Sequence, residues 1–166
     1  MNYLTIAELI QAFPHAGELV WIGIRPARGE TMITINEVMA DQRAGLIGDR
    51  YSNISGKRQV TLIQWEHLAV LASFMGKTIA PELLRRNLVI KSINLLALKN
   101  RNFRIGEAVF HATGLCHPCS KMEKVLGTGG YNAMRGHGGL TAEVLNDGLI
   151  RVGDLLTVLP ERQANC

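Results

Sequence analysis

The sharpest chemical feature of the chain is Cys116-His117-Pro118-Cys119. It sits between an apolar, strand-like stretch and a segment of helical pattern. Pro118 suits the first position of that helix, which places Cys119 in its first turn. Free backbone N–H groups and the helix dipole favour a thiolate there, and Lys121 and Lys124 add positive charge. Such a sulfur serves as a nucleophile, a sulfur carrier or a soft-metal ligand. The ordinary alternative is a buried, inert cysteine, because the thiol is small and apolar. A thioredoxin-like dithiol does not suit the position, since only 47 residues follow Cys119 and the only later proline is Pro160. A structural zinc site needs four ligands, and its second pair would have to come from scattered residues such as His111 and His137. Cys166 is terminal and reads as incidental.

Glycines follow the cysteines densely: Gly127, Gly129, Gly130, Gly136, Gly138 and Gly139. Glycine lets backbone N–H groups approach an anion closely, although tight turns alone also account for such a cluster. No Gly-Lys-Ser/Thr follows, so this is not a P-loop, and the spacing is not a dinucleotide fingerprint.

Arginines supply the third feature. The net charge is +4, but it is unevenly spread. Residues 1–42 carry two basic and five acidic side chains, residues 43–104 eleven and three, and residues 105–166 five and six. The middle third is therefore electropositive, and Arg outnumbers Lys twelve to six. The planar guanidinium suits bidentate binding of phosphate or carboxylate. Within this block, Arg85-Arg86-Asn87 precedes an apolar strand, Gly48-Asp49-Arg50 lies in a loop, and Arg58-Gln59 leads another strand. Arg85 and Asn87, two apart on an extended segment, point the same way and together grip a phosphate. Asp49 reads as structural.

The elements that position these groups follow from patterning. Thr5 to Phe13 reads as a helix with a Thr5/Glu8 capping box, closed by Pro14. Leu19 to Ile24 and Met32 to Val38 read as strands. Gly45 to Gly56 reads as a loop, and Gln59 to Gln64 as a half-buried strand. Trp65 to Met75 has helical spacing and ends at Gly76. Pro81 to Arg86 is one helical turn. Asn87 to Lys91, Asn94 to Leu98 and Arg104 to Ala112 read as strands, Pro118 to Leu126 as a helix, and Leu140 to Leu145 and Asp154 to Leu159 as closing strands. Many short strands with a few helices between them predict a mainly β chain, a barrel or sandwich with inserted helices, rather than a doubly wound parallel sheet.

The 166 residues suit one domain with a single core, and no linker divides residues 1–166. No apolar run nears the ~20 residues of a membrane-spanning helix. The N-terminus lacks the pattern of a signal peptide. Both observations lead to the expectation of a cytoplasmic protein without a membrane partner. Aromatic content is 5%, and the basic block carries no interleaved aromatic residues for base stacking, so a nucleic-acid partner is not expected.

Taken in order, Gly45-Leu46-Ile47-Gly48-Asp49-Arg50, Arg58-Gln59-Val60-Thr61-Leu62-Ile63, Arg85-Arg86-Asn87-Leu88-Val89, Cys116-His117-Pro118-Cys119, Met134-Arg135-Gly136-His137-Gly138-Gly139 and Ile150-Arg151-Val152-Gly153-Asp154 resemble a MOSC domain. That is the domain named after the C-terminal part of molybdenum cofactor sulfurase. The resemblance runs from about residue 20 to 158. It implies a β-barrel with inserted helices. It also implies binding of the molybdenum cofactor, molybdopterin, a pterin dithiolene with a terminal phosphate. In members that reduce N-hydroxylated compounds a cysteine ligates molybdenum, and Cys119 matches it. Arg85 and Asn87 match the element that holds the cofactor phosphate, with Arg58, Arg135 and Gly136 as further cofactor-binding candidates. The chain shows neither the additional barrel nor the ferredoxin-like domain of the reductases, so the resemblance implies an external electron-donor protein. It shows no aminotransferase-like domain either, so it does not generate sulfane sulfur itself.

Three functions compete on these residues. The first is a molybdenum-dependent reductase with Cys119 on the metal. The second is a carrier of the cofactor, or of sulfur as a Cys119 persulfide, with Cys116 as a neighbouring thiol. The third is a thiol–disulfide protein using both cysteines. His117 and His137 read as surface histidines.

Overall fold

The computed structural model describes residues 3–51 and 56–161; the middle of the Gly45–Gly56 segment and Cys166 lie outside the described residues. Seven strands close a barrel: β1 (Gly17–Ile24), β5 (Val60–Gln64), β6 (Leu88–Lys91), β7 (Asn102–Ile105), β8 (Ala108–Leu115), β9 (Leu140–Asn146) and β11 (Leu155–Val158). The order is β11-β7-β8-β9-β5-β6-β1, and β1 pairs with β11 to complete the circle. β2 (Ile33–Ile35) extends the sheet beyond β1, while β3 (Glu37–Asp41), β4 (Gly45–Leu46) and β10 (Gly148–Arg151) form a separate three-stranded sheet. The mainly β fold with inserted helices is therefore the one the patterning predicts. Closure leaves no edge on the barrel wall to be protected.

Among the described residues only β5 and β6 run parallel, registered through Leu62 and Leu88, Ile63 and Val89, Gln64 and Ile90. A parallel pair needs a crossover, and α2 (Trp65–Met75) supplies it. The helix covers the outside of both strands. Val60, Leu62, Leu88 and Ile90 consequently face the barrel core, while Ile63 and Val89 face a second core with Leu68, Leu71, Leu84, Met122 and Leu126. The strand expected to be half-buried is buried on both faces for this reason. Gly76 ends α2 in the left-handed conformation (φ 65°), as the sequence predicts.

Other elements differ from their sequence reading. Asn94–Leu98 is not a strand: Leu95–Leu98 forms a 3-10 turn capped by the Asn94 side chain, which accepts from Leu96 N at 3.2 Å. Competition of an Asn side chain for local backbone donors outweighs the apolar run. The single strand expected over Arg104–Ala112 is a hairpin, β7 and β8, turned at Gly106-Glu107. The first helix, α1 (Ile6–Leu9), has the Thr5/Glu8 capping box but stops short of Phe13 and buries none of its side chains.

Candidate functional site

Cys119 does not lie in the first turn of the following helix. α3 spans Ser120–Leu126, and Cys119 is its N-cap, extended at φ −126° and ψ 177°. Its side chain makes no capping hydrogen bond and is exposed, whereas Cys116 is 3% exposed. The Cys-X-X-Cys loop thus presents one thiol outward and keeps one inside. Arg58 Nη2 stands 3.9 Å from the buried Cys116 Sγ. The segment before Arg58 is tied to β8, where the Thr113 hydroxyl donates to the Lys57 carbonyl.

The glycine segment packs against this loop. Cys116 N donates to Gly139 O at 2.8 Å. Gly139 lies at φ +83°, and a Cβ there would fall 1.8 Å from Leu62 O, so only glycine lets the turn press on β5. The same segment holds a helix the sequence reading did not anticipate, α4 (Gly130–Met134), whose carboxyl end passes to Arg135. Arg135 and Gly136 are exposed; Gly136, Cys116 and Pro118 line a small cavity of about 100 Å³ with Leu96 and Leu115. His137 packs edge-on against His67 of α2, ring centroids 4.9 Å apart, and against Phe74. Burial first, and then the neighbouring His137, push the His67 imidazole below its ordinary value; Glu66 pulls the other way.

Arg85 and Asn87 do not share a face. Arg85 is left-handed (φ 56°) at the end of the 3-10 turn Pro81–Leu84, so strand alternation does not begin until β6. Asn87 is 1% exposed and its amide is fully engaged. Its Oδ1 accepts from Thr61 N at 3.1 Å and Thr61 Oγ1 at 3.0 Å; its Nδ2 donates to Gly23 O at 3.1 Å and Asp49 Oδ1 at 3.3 Å. A side chain so committed has no donor left for a phosphate. It reaches the Arg25 end of β1 through Asp49.

Asp49 in turn accepts from Arg25 N at 2.7 Å and Tyr51 N at 3.2 Å, and its side chain is fully hidden. The structural role read for it from sequence is the one it has. It fixes the end of β1 against the loop carrying Arg50, whose N donates to Arg25 O. Arg25 Nε, 3.6 Å from Asp49 Oδ1, is buried and has no hydrogen-bond partner among the described residues.

The result is a guanidinium cluster. Burial, and then the repulsion of Arg25 and Arg50, hold Arg85 below its ordinary value, while Cys119 acts in the opposite direction. Arg85 thus lies in the field of Arg25 and Arg50, and the hidden carboxylate of Asp49 stands beside Arg25; the grouping is a candidate anion site. Arg25 was missing from the sequence reading and Arg50 was noted only within its loop. Their signal was modest: charged residues at a strand end and in a turn, joined to Arg85 only by the fold. Arg86, 7% exposed, reaches inward instead. No cluster of three metal-ligating side chains occurs among the described residues, and no described helix is long and apolar enough to cross a membrane.

A larger concavity, about 710 Å³, lies elsewhere, between Phe13, Arg101 and the segment from Thr157 to Glu161. Its arginine is already occupied by Ile10 O and Glu161. Size does not choose the site here; the exposed thiol and the arginine cluster do.

The chain is a closed β-barrel with inserted helices, carrying an exposed cysteine within electrostatic reach of Arg85. The MOSC domain family model matches residues 35–157, and the chain belongs to that family. Similar solved structures agree on the fold. The YuaD protein from Bacillus subtilis superposes with a TM-score of 0.76 at 17% identity, covering 86% of this chain and 94% of that one. YiiM from Geobacillus stearothermophilus gives 0.73 at 16%, covering 89% and 77%, and YiiM from Escherichia coli 0.71 at 20%, covering 89% and 71%. No protein of curated function matches the sequence.

Proposed function

We propose that this protein binds molybdopterin and acts as a reductase of N-hydroxylated compounds, fed by an external electron-donor protein. The observation that carries the reading is the pairing of an exposed Cys119, whose side chain makes no capping hydrogen bond, with the Arg25, Arg50 and Arg85 guanidiniums. The residues present fit the group. Among the described residues the buried Arg25 Nε has no hydrogen-bond partner, and the Arg25, Arg50 and Arg85 guanidiniums bear positive charge in excess of Asp49. Cys119 offers the soft sulfur that molybdenum accepts.

In this reading Arg85, with Arg25 and Arg50, holds the terminal phosphate. Asn87 keeps those arginines in place through Asp49. Arg58, beside Cys116, and Arg135 with Gly136, just past α4, are the further cofactor-binding candidates. Cys119 ligates the metal. When bound, the molybdenum centre supplies two-electron chemistry between its (VI) and (IV) states. Net reduction of an N–OH group takes two electrons and two protons and releases water, so the donor protein is required.

A second reading has support in the adjacent thiols. Cys119 outside and Cys116 inside suit a carrier in which Cys119 holds sulfur as a persulfide. One experiment separates the two. Molybdenum and pterin are measured in protein from a cofactor-producing host, wild type beside Cys119→Ser. Stoichiometric molybdenum in wild type, lost in the variant, is the expected result. Folded protein without molybdenum or pterin overturns the reductase reading, and a one-sulfur mass adduct on Cys119 then establishes the carrier.

A further inference from the structure

Arg85 and Arg86 are neighbours in sequence but serve opposite sides of the wall. The left-handed turn at Arg85 sends Arg86 inward, where the residue is 7% exposed. Arg86 Nε donates to Gly138 O at 2.8 Å, Nη1 to Leu84 O at 3.0 Å and Nη2 to Cys116 O at 3.4 Å. One side chain therefore joins three segments that are far apart in sequence.

Cys116 is gripped through both ends of its backbone. Its N–H is taken by Gly139 O, and its C=O by Arg86. The glycine turn closes tightly on it: a Cβ on Gly138 would fall 2.0 Å from Cys116 O and 3.5 Å from Arg86 Nη2. No carboxylate forms a salt bridge with Arg86 among the described residues. A buried guanidinium in such a place is retained at a desolvation cost, and its fork geometry is what a lysine lacks. The neighbouring groups of opposite charge tendency are the thiols of Cys116 and Cys119; Arg25 and Arg58 oppose it.

We infer that Arg86 is the positioning residue of the cysteine loop: it locks Cys116 between the 3-10 turn and the glycine turn, and so fixes where Cys119 emerges beside Arg85. The inference deepens the proposed reading of Cys119 as the reacting sulfur. The lock itself can be tested without molybdenum, so the two can fail separately.

The test is alkylation of the folded, cofactor-free protein with iodoacetamide, read thiol by thiol by mass spectrometry. In wild type Cys119 is labelled and Cys116 is protected. Arg86→Lys keeps the charge but loses the fork, and Cys116 labelling then rises about tenfold or more through local opening. Millimolar methylguanidinium added to Arg86→Ala restores the protection, which a general loosening of the barrel would not allow. Cys116 labelling within about twofold of wild type in folded Arg86→Lys overturns the inference. So does a rise that methylguanidinium leaves unchanged in Arg86→Ala. If the Arg86 variants do not fold, Gly138→Ala carries the same expectation from the opposite side of the lock. If that also fails, wild type decides. Cys116 labelling with the urea dependence of global unfolding supports the lock, and labelling through a small local opening overturns it.

Discussion

Asn87 Nδ2 donates to Asp49 Oδ1 at 3.3 Å, inside the wall of the barrel. This contact turns an expected ligand into a foundation. Asn87 ties β5, β1 and the Asp49 loop together, and Asp49 holds the backbone of Arg25 in place. Truncation of Asn87 strands several buried partners at once. Asn87→Ala should therefore cost about 2–4 kcal/mol of stability, measured by urea unfolding. A loss below about 1 kcal/mol would show that the network relaxes around the gap.

Arg85 allows binding and folding to be separated. Its φ of 56° is unfavourable for any residue with a Cβ. Arg85→Gly should gain about 1 kcal/mol in urea unfolding while lowering affinity for the phosphorylated pterin by about tenfold or more. Unchanged affinity would remove Arg85 from the anion site.

The glycine turn makes a paired prediction. Gly139→Ala drives a Cβ against Leu62 O and should prevent folding or cost several kcal/mol, about 3 or more. Gly136 also has a positive φ, +78°, but nothing lies within 4 Å of its Cβ position. Gly136→Ala should cost only about 1 kcal/mol. Equal melting temperatures for the two variants would contradict the packing described.

His67 sets an acid limit. Its folded-state imidazole titrates below the ordinary 6.5, through burial and the nearby His137. The unfolded chain therefore binds the proton first, and stability falls as pH drops through 6.5 towards the folded value. Above 6.5 this contribution is fully present. The urea midpoint of wild type should decline over this range, and His67→Gln should flatten the decline. An unchanged slope in His67→Gln would assign the acid sensitivity to other groups.

Cys119→Ser should leave the unfolding free energy in urea within about 0.5 kcal/mol of wild type, because the side chain is exposed and makes no capping hydrogen bond. Molybdenum content should fall with it. A strongly destabilised variant would mean that Cys119 packs in the fold.

Much of this protein is legible from local pattern. The Thr5/Glu8 box, the helix from Trp65 to Met75 with its glycine stop, and the Cys-X-X-Cys loop between strand and helix are determined by neighbours within a few residues. The order of short strands predicts a mainly β chain, barrel or sandwich; the closure of β1 on β11 makes it a barrel. Local pattern misjudged Leu95–Leu98 because an apolar run does not distinguish a short strand from a capped turn.

The tertiary structure alone decided which residues meet. Closure through Gly17 and Leu156 joins the two ends of the described chain. Asn87 turns inward because Thr61, Gly23 and Asp49 together satisfy all of its buried polar atoms. Arg25, Arg50 and Arg85 gather from three segments, and Arg86 crosses to Cys116, thirty positions away. Hydrophobic periodicity records which way a side chain faces relative to its own strand or helix. It does not record which distant strand lies alongside. That pairing is settled by the summed burial and hydrogen-bond satisfaction of the whole barrel.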